Sequence, residues 1–467
     1  MRNCRLTWLL ALTMTIAGSS ALSQQNAVTP DMRARIEAQA ASTLQKSGNP
    51  SAVVALVQHG QVVYTGAFGD ARAKPEAKAS VEMPYGIGSV SKQFTAAAVM
   101  VLVERGKLRL DDPVSTWYPQ LAHSREVTLR NLLNQVSGYA DYYTEDYLTP
   151  EVASTTTPMA LVRKWTSKPL DFVPGTRWEY SNTNYLLAAL IVEKVAQQPF
   201  FEFLQANVLR PAGIEHVVNL DGDKVPPLPV GYCHFGFGPA RECPREGKGT
   251  LSGGGSLAMP IGELAKWDTV VLKRQVLKPS SWQTMESEFT LPDGTGTGYG
   301  MGFFLRVQNG RRTLAHGGEL SGFTTQNTVF PAQDTAVAVI VNGDGGAAEI
   351  ASAIEDIAFA PAAKTPVASD PATEALVRKV IAQLQQGHVD RSLLAPNLQY
   401  YFTDVALSDY RASLQPLGTV VSLETEDRFE RGGMYGFSYK VKGSKKDISI
   451  LVYVTKDGLL DQIMLLR

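Results

Sequence analysis

Cysteine is nearly missing from this chain: 467 residues carry three, Cys4, Cys233 and Cys243. That scarcity excludes a disulfide-dense scaffold. It also argues against a metal, because Cys233 and Cys243 with the neighbouring His234 fall short of a tetrahedral zinc set. Charge of one sign is missing too. The formal net charge is −1 and no basic stripe runs along the sequence, so no nucleic-acid partner is expected. Internal repeats and low-complexity segments are absent. Beyond the first residues no long apolar run recurs, which excludes a stable membrane anchor in the mature chain.

What is present describes an ordinary globular protein, 44% apolar and 19% charged. Its length exceeds one typical core, so two domains are expected. Arg2 and Arg5 precede an apolar run from Leu6 to Ala17, and Ala21-Leu22-Ser23 supplies a small-x-small cleavage site. Residues 1–23 therefore read as a signal peptide, and the mature protein as soluble and exported, periplasmic or secreted. Cys4 leaves with that leader. In an oxidising compartment Cys233 and Cys243 are candidates for a disulfide around a glycine-rich loop, with two buried thiols as the alternative. A main domain is expected over 24–360. An Ala- and Pro-rich linker follows at 361–371, then a smaller α+β domain at 372–467 in which Tyr435–Val441 and Ile448–Val454 alternate as strands.

Within the main domain, Thr29-Pro30 opens a helix to about Lys46, and Val53–Gln58 with Gln61–Ala67 reads as a hairpin. Late strands follow at Phe303–Gln308 and Arg311–Ala315 around Asn309-Gly310, then at Thr324–Phe330 and Thr335–Val341. Early and late strands around a helical middle predict an antiparallel sheet flanked by helices.

Three short motifs carry chemistry. Ser89-Val90-Ser91-Lys92 is the one Ser-x-x-Lys in the chain, at the start of a helical run that Gly106 ends. The spacing puts Lys92 on the face of Ser89, where an amine can help remove the hydroxyl proton. Taken alone, Ser89 could equally be a helix cap. Tyr180-Ser181-Asn182 offers a phenol that a nearby ammonium would pull down, able to shuttle protons, and an amide for a substrate. Its ordinary alternative is a capping turn, with Asn182 heading a helix from Tyr185 to Ala196. His316-Gly317-Gly318 ends a strand, where glycines allow a substrate to lie along the edge. The Glu319 N–H just past them could join that of Ser89 as an oxyanion hole. His234-Phe235-Gly236 matches the same pattern but lies in the cysteine loop. A tyrosine-dense insert, Tyr139 to Tyr147, is placed to wall a cleft, or else to pack in the core or at its rim.

In this order and context the motifs resemble the serine β-lactamase and penicillin-binding protein superfamily. They are most similar to the branch of AmpC-type β-lactamases, D-Ala-D-Ala carboxypeptidases, D-aminopeptidases and related esterases. The resemblance runs from about Val53 to Val341. It includes Ser137-Gly138 and the Gly253-Gly254-Gly255 stretch. It implies the β-lactamase/transpeptidase-like α/β fold with a helical lobe above the cleft. It implies Ser89 as acylated nucleophile, Lys92 as activator, and Tyr180 as base and then acid. Asn182 would bind the acyl-side amide, and His316, Gly317 and Gly318 would belong to the substrate-docking strand. No cofactor is implied. The expected partner is a small-molecule or peptide substrate, cell-wall-derived material included. AmpC-type enzymes carry lysine where this chain has His316, which ranks D-amino-acid peptidase or carboxypeptidase first, esterase second and β-lactamase third. A penicillin-recognising sensor, acylated without turnover, is the alternative. The C-terminal domain lies outside the resemblance and reads as accessory, with no recognisable site.

Overall fold

The computed structural model describes residues 28–359, 367–431 and 433–466. The expected leader and most of the expected linker lie outside the described residues. Helix α1 (Pro30–Ser47) starts where the Thr29 hydroxyl accepts the Met32 N–H at 3.1 Å, and stops at Gly48 in the left-handed region. Strands β1 (Ser51–Gln58), β2 (Gln61–Arg72) and β3 (Ala77–Lys78) follow. The helical lobe contains α2 (Ser91–Glu104) and α3 (Asn182–Ala196), and α4 (Ile261–Lys273) lies against the sheet. The chain then returns to the sheet through β4 (Phe304–Gln308), β5 (Arg311–Leu320), β6 (Phe323–Phe330) and β7 (Thr335–Val341), and closes with α5 (Ala347–Ala358).

The seven strands are ordered β3-β2-β1-β7-β6-β5-β4 and the pairs from β2 to β4 are antiparallel throughout. First and last strands meet in the middle, Ala55 opposite Ala338. Both carry near-continuous apolar sequence because both of their faces are covered. Val53, Ala55 and Val57 pack toward α2 and α4, against residues such as Phe94 and Trp267. Ala52, Val54 and Leu56 pack toward α1 and α5, against Ile36, Ile350 and Ile354. Successive side chains point to opposite faces, so one strand serves two cores.

Helix α2 is buried almost all round, from Ser91 to Leu102, as expected of a helix at the centre of a lobe. A polar chain locks its first turn. Trp267 Nε1 donates to Gln93 Oε1 at 2.7 Å, Gln93 Nε2 to Asn327 at 3.1 Å, and Asn327 Nδ2 to Asp268 at 2.7 Å. Burial pushes the Asp268 carboxyl well above the ordinary range, against the pull of its hydrogen bond from Asn327.

The C-terminal domain has its own core. Helices α6 (Pro371–Leu384) and α7 (Asp404–Leu414) cover one face of an antiparallel sheet ordered β8 (Val420–Arg431), β9 (Met434–Gly443), β10 (Asp447–Val454) and β11 (Leu460–Leu466). Phe437, Tyr439 and Val441 alternate inward as the period of two requires. Among the described residues no helix is long and apolar enough to cross a membrane.

Trp267 joins the sheet core to the polar chain, so Trp267→Ala should lower unfolding free energy by about 3–5 kcal/mol in urea titrations. Val307→Ala, on an exposed part of β4 (74% accessible), should stay within about 0.5 kcal/mol of the parent.

Candidate active site

Ser89 sits in a short 3₁₀ turn, Gly88–Val90, that feeds directly into α2. One turn on, Lys92 is wholly buried, and its Nζ lies 2.9 Å from Ser89 Oγ, 2.8 Å from Asn182 Oδ1 and 2.9 Å from the Gly254 carbonyl. Three acceptors thus surround one amine. The Gly253–Gly255 stretch earns its place here, since the Gly254 carbonyl is one of them.

Burial lowers the Lys92 ammonium to about 7; the Asp141 carboxylate opposes that shift and Arg431 adds to it. Asp141 is itself buried and pushed up to about 6, burial dominating over the pull of Arg431, of the Tyr143 and Asn182 amides, and of Lys92. Its carboxylate accepts the backbone N–H of Asn182 at 2.8 Å and the Asn182 side-chain amide at 3.2 Å. Asp141 therefore orients the amide whose oxygen receives Lys92. Burial thus works against the Lys92 ammonium, and the buried Asp141 works for it.

Tyr180 is buried against Tyr299, Phe304 and His316, with Lys92 Nζ 4.9 Å from its ring centre. A phenol lowered by the ammonium was expected. The structure corrects this: burial first, and Tyr299 second, hold Tyr180 well above 10, outweighing its hydrogen bond with Ser89 and the charge of Arg431. At rest Tyr180 is a protonated phenol, suited to donating. Asn182 is also not a cap. It is the first residue of α3, three residues before the expected start, because Ser181 stays extended and takes the capping position.

His316 is 2% exposed, its Nδ1 2.6 Å from the Gly317 carbonyl and its Nε2 3.1 Å from the Tyr299 hydroxyl. Burial, and then Lys92, lower the imidazole to about 3. It is neutral at physiological pH, donating through Nδ1 and accepting through Nε2. The third motif therefore supplies no positive charge.

Strand β5 presents an open edge. Its pairing with β4 ends at Ala315 opposite Phe304. The two-residue turn Ser321-Gly322 makes Leu320 and Phe323 a hydrogen-bonded pair, so alternation turns the backbone groups of Glu319 and Gly317 away from β6, toward that edge. The edge lies close to Ser89. A Cβ on Gly318 would stand 2.1 Å from the Ile87 carbonyl oxygen, and one on Gly88 2.6 Å from the Glu319 nitrogen. The Glu319 N–H thus faces the turn that carries Ser89.

Around these groups lies a cleft of about 640 Å³. The tyrosine insert divides its work: Tyr142 and Tyr143 line the cleft, Tyr139 is core, and the Tyr147 ring packs at a tilt 4.9 Å from Tyr401 of the C-terminal domain. The C-terminal domain also reaches the cleft. Phe429, Glu430, Arg431 and Tyr453 line the same cleft, because the end of β8 reaches across to the insert. Arg431 pairs with Asp146 and lies 3.6 Å from Glu319 Oε2. Sequence reasoning missed Asp141, Asp146 and Arg431. His234 lies elsewhere, its Nδ1 2.8 Å from Asp344, beside the disulfide that joins Cys233 and Cys243. Among the described residues no group of three or more His, Cys, Asp or Glu is arranged to hold a metal.

The sequence pattern of the family described as beta-lactamase matches residues 31–361, most of the chain. The chain belongs to the beta-lactamase family. This family of serine hydrolases includes D-aminopeptidase and penicillin-binding relatives. A D-aminopeptidase of Brucella anthropi is 26% identical over 322 residues, 68% of this chain and 60% of that relative. A D-stereospecific amidohydrolase of a Streptomyces species, at 25% identity and TM-score 0.60, aligns over 72% of this chain and all of its own. An octameric penicillin-binding protein homologue from Pyrococcus abyssi shares the fold at 20% identity and TM-score 0.62, over 93% of this chain and 98% of its own.

The His316 ring should show no titration by nuclear magnetic resonance between about pH 8 and pH 5, where an ordinary imidazole protonates. The sign for stability follows. The folded value of about 3 lies below the ordinary 6.5, so the unfolded chain binds more protons between those two values. The contribution of His316 to stability is therefore lost as pH falls through that range.

Proposed function

We propose that this chain is an exported serine hydrolase that turns over D-amino-acid amides, peptides or esters through an acyl-enzyme on Ser89. The observation that carries the reading is the fully buried Lys92 amine, 2.9 Å from Ser89 Oγ and lowered to about 7. An uncharged amine there accepts the serine proton as Oγ attacks the carbonyl carbon. The negative charge that develops on the carbonyl oxygen falls to the N–H groups of Ser89 and Glu319. Tyr180, a protonated phenol, gives its proton to the leaving group and is refilled from Lys92. Water then attacks the ester along the reverse route and frees the acid. Asn182, held by Asp141, is placed for the acyl-side amide.

The cleft's charge ranks the substrates. Seven acidic side chains and two guanidinium groups line it, and His316 is neutral. That balance favours a substrate bearing an ammonium group over one ending in a carboxylate, and so amide or aminopeptidase chemistry over carboxypeptidase or β-lactam chemistry.

The test is to offer the mature protein a D-amino-acid amide, a chromogenic short-chain ester, D-Ala-D-Ala and a fluorescent penicillin, beside Ser89→Ala. Turnover of amide and ester should drop at least about 1,000-fold in the variant. Activity that survives Ser89→Ala would refute the nucleophile, and stable penicillin labelling without turnover would replace the reading with a sensor.

The acidic limb of kcat/KM should fall near pH 7, where Lys92 becomes protonated. Asp141→Asn removes the carboxylate that supports the ammonium, so the limb should move to lower pH. A shift upward would contradict Lys92 as the acceptor.

A further inference from the structure

The cleft contains a cation that belongs to the other domain. Arg431 ends β8, and its side chain is only 20% exposed. Its Nη1 binds Asp146, lies 3.6 Å from Glu319 Oε2, and is 3.3 Å from the Tyr453 hydroxyl. Each carboxylate partner sits on an element that flanks Ser89. Asp146 belongs to the insert, as does Asp141, the residue that holds Asn182. Glu319 is on the open edge of β5, and its own backbone N–H faces the Ser89 turn.

Several contacts fix this arrangement. Gln462 of β11 bonds Asp146 twice: its Oε1 accepts the Asp146 N–H at 2.9 Å, and its Nε2 donates to Oδ2 at 2.8 Å. Burial alone would raise the Asp146 carboxyl, but Arg431 first, then Glu319 and Gln462, outweigh it and hold it low. Glu319 moves the other way: burial and the neighbouring Asp146 push it well above the carboxylate range. The Arg431 charge also reaches Lys92, Asp141 and Tyr180. A bond that merely joined two domains would do so at any point of their contact. This one lies in the lining of the cleft.

We infer that Arg431 is a positioning residue for the acyl-transfer site: by clamping Asp146 and Glu319 it fixes the insert and the open edge of β5 against Ser89, so that catalysis depends on the C-terminal domain. The inference rests on the Ser89 acyl-transfer reading for its effect on turnover. It acts through the Glu319 N–H and through Asn182, and Arg431 itself touches no reacting atom. Displacing an oxyanion donor by a fraction of an ångström weakens the transition state more than it weakens substrate binding.

The test uses the full chain carrying Arg431→Gln, Arg431→Lys or, as a control on the same strand, Arg428→Gln. With the D-amino-acid amide or ester, Arg431→Gln should lower kcat about 100-fold while KM stays within about threefold. Arg431→Lys, which keeps a charge but loses the fork, should recover about tenfold of that loss. Arg428→Gln should match the parent. Amide hydrogen exchange supplies a readout that needs no turnover: in Arg431→Gln, exchange over residues 316–320 should rise by more than it rises over β1 and β7. A kcat equal to the parent's, a loss confined to KM, no recovery by lysine, or unchanged exchange over 316–320 would each overturn the inference. A parent without Ser89-dependent turnover would instead sink the acyl-transfer reading, and the exchange measurement would still decide the clamp.

Discussion

Strand β5 comes to the Ser89 turn because two residues there have no side chain. Gly88 has a positive φ of 50° and backs onto the Glu319 backbone, and Gly318 backs onto the Ile87 carbonyl. Any Cβ at either place would overlap backbone, which cannot swing aside as a flexible side chain does. The rest of the site inherits its geometry from that approach. It turns the Glu319 N–H toward Ser89, lays His316 beside Tyr180, and leaves the strand edge uncovered for an extended ligand. The sheet is correspondingly rigid behind it, with β6 and β7 continuing the ladder into the doubly covered β1.

Burial then does the chemical tuning. Lysine, tyrosine, histidine and aspartate at this site are each pushed toward their uncharged forms by the loss of water, and the differences among them come from which neighbour pushes back. Lys92 and Asp141 hold one another near neutrality. Tyr180 and His316 lack an opposing charge of comparable weight, so one remains a phenol and the other a neutral imidazole. In the proposed reaction the site thus separates an acceptor from a donor.

Much of this was legible where local physics decides the outcome. Thr29-Pro30 opens α1 and Asn309-Gly310 joins β4 to β5, because each signal acts within a few residues. The three motifs were readable for the same reason: Ser89 and Lys92 share one helical turn. What stayed hidden depends on distant partners. Arg431 stands in a strand rich in Glu, Asp and Arg that reads as a solvated edge, and its partner Asp146 is 285 positions away. Asp141 sits between tyrosines in a loop and reads as a turn residue. The downward pull expected on Tyr180 failed because the depth of burial, which no spacing reports, outweighs one nearby charge.

The insert is bonded at one end to Asn182 and at the other to the C-terminal sheet, so the two cannot be inherited separately without cost. A chimaera that took the hydrolase domain alone would strip Asp146 of both Arg431 and Gln462, leaving the insert beside Ser89 without its anchors. Residues 141–147 and the end of β8 therefore form a single module of exchange. In recombination or engineering, the boundary of the working unit runs through the C-terminal sheet and not through the linker.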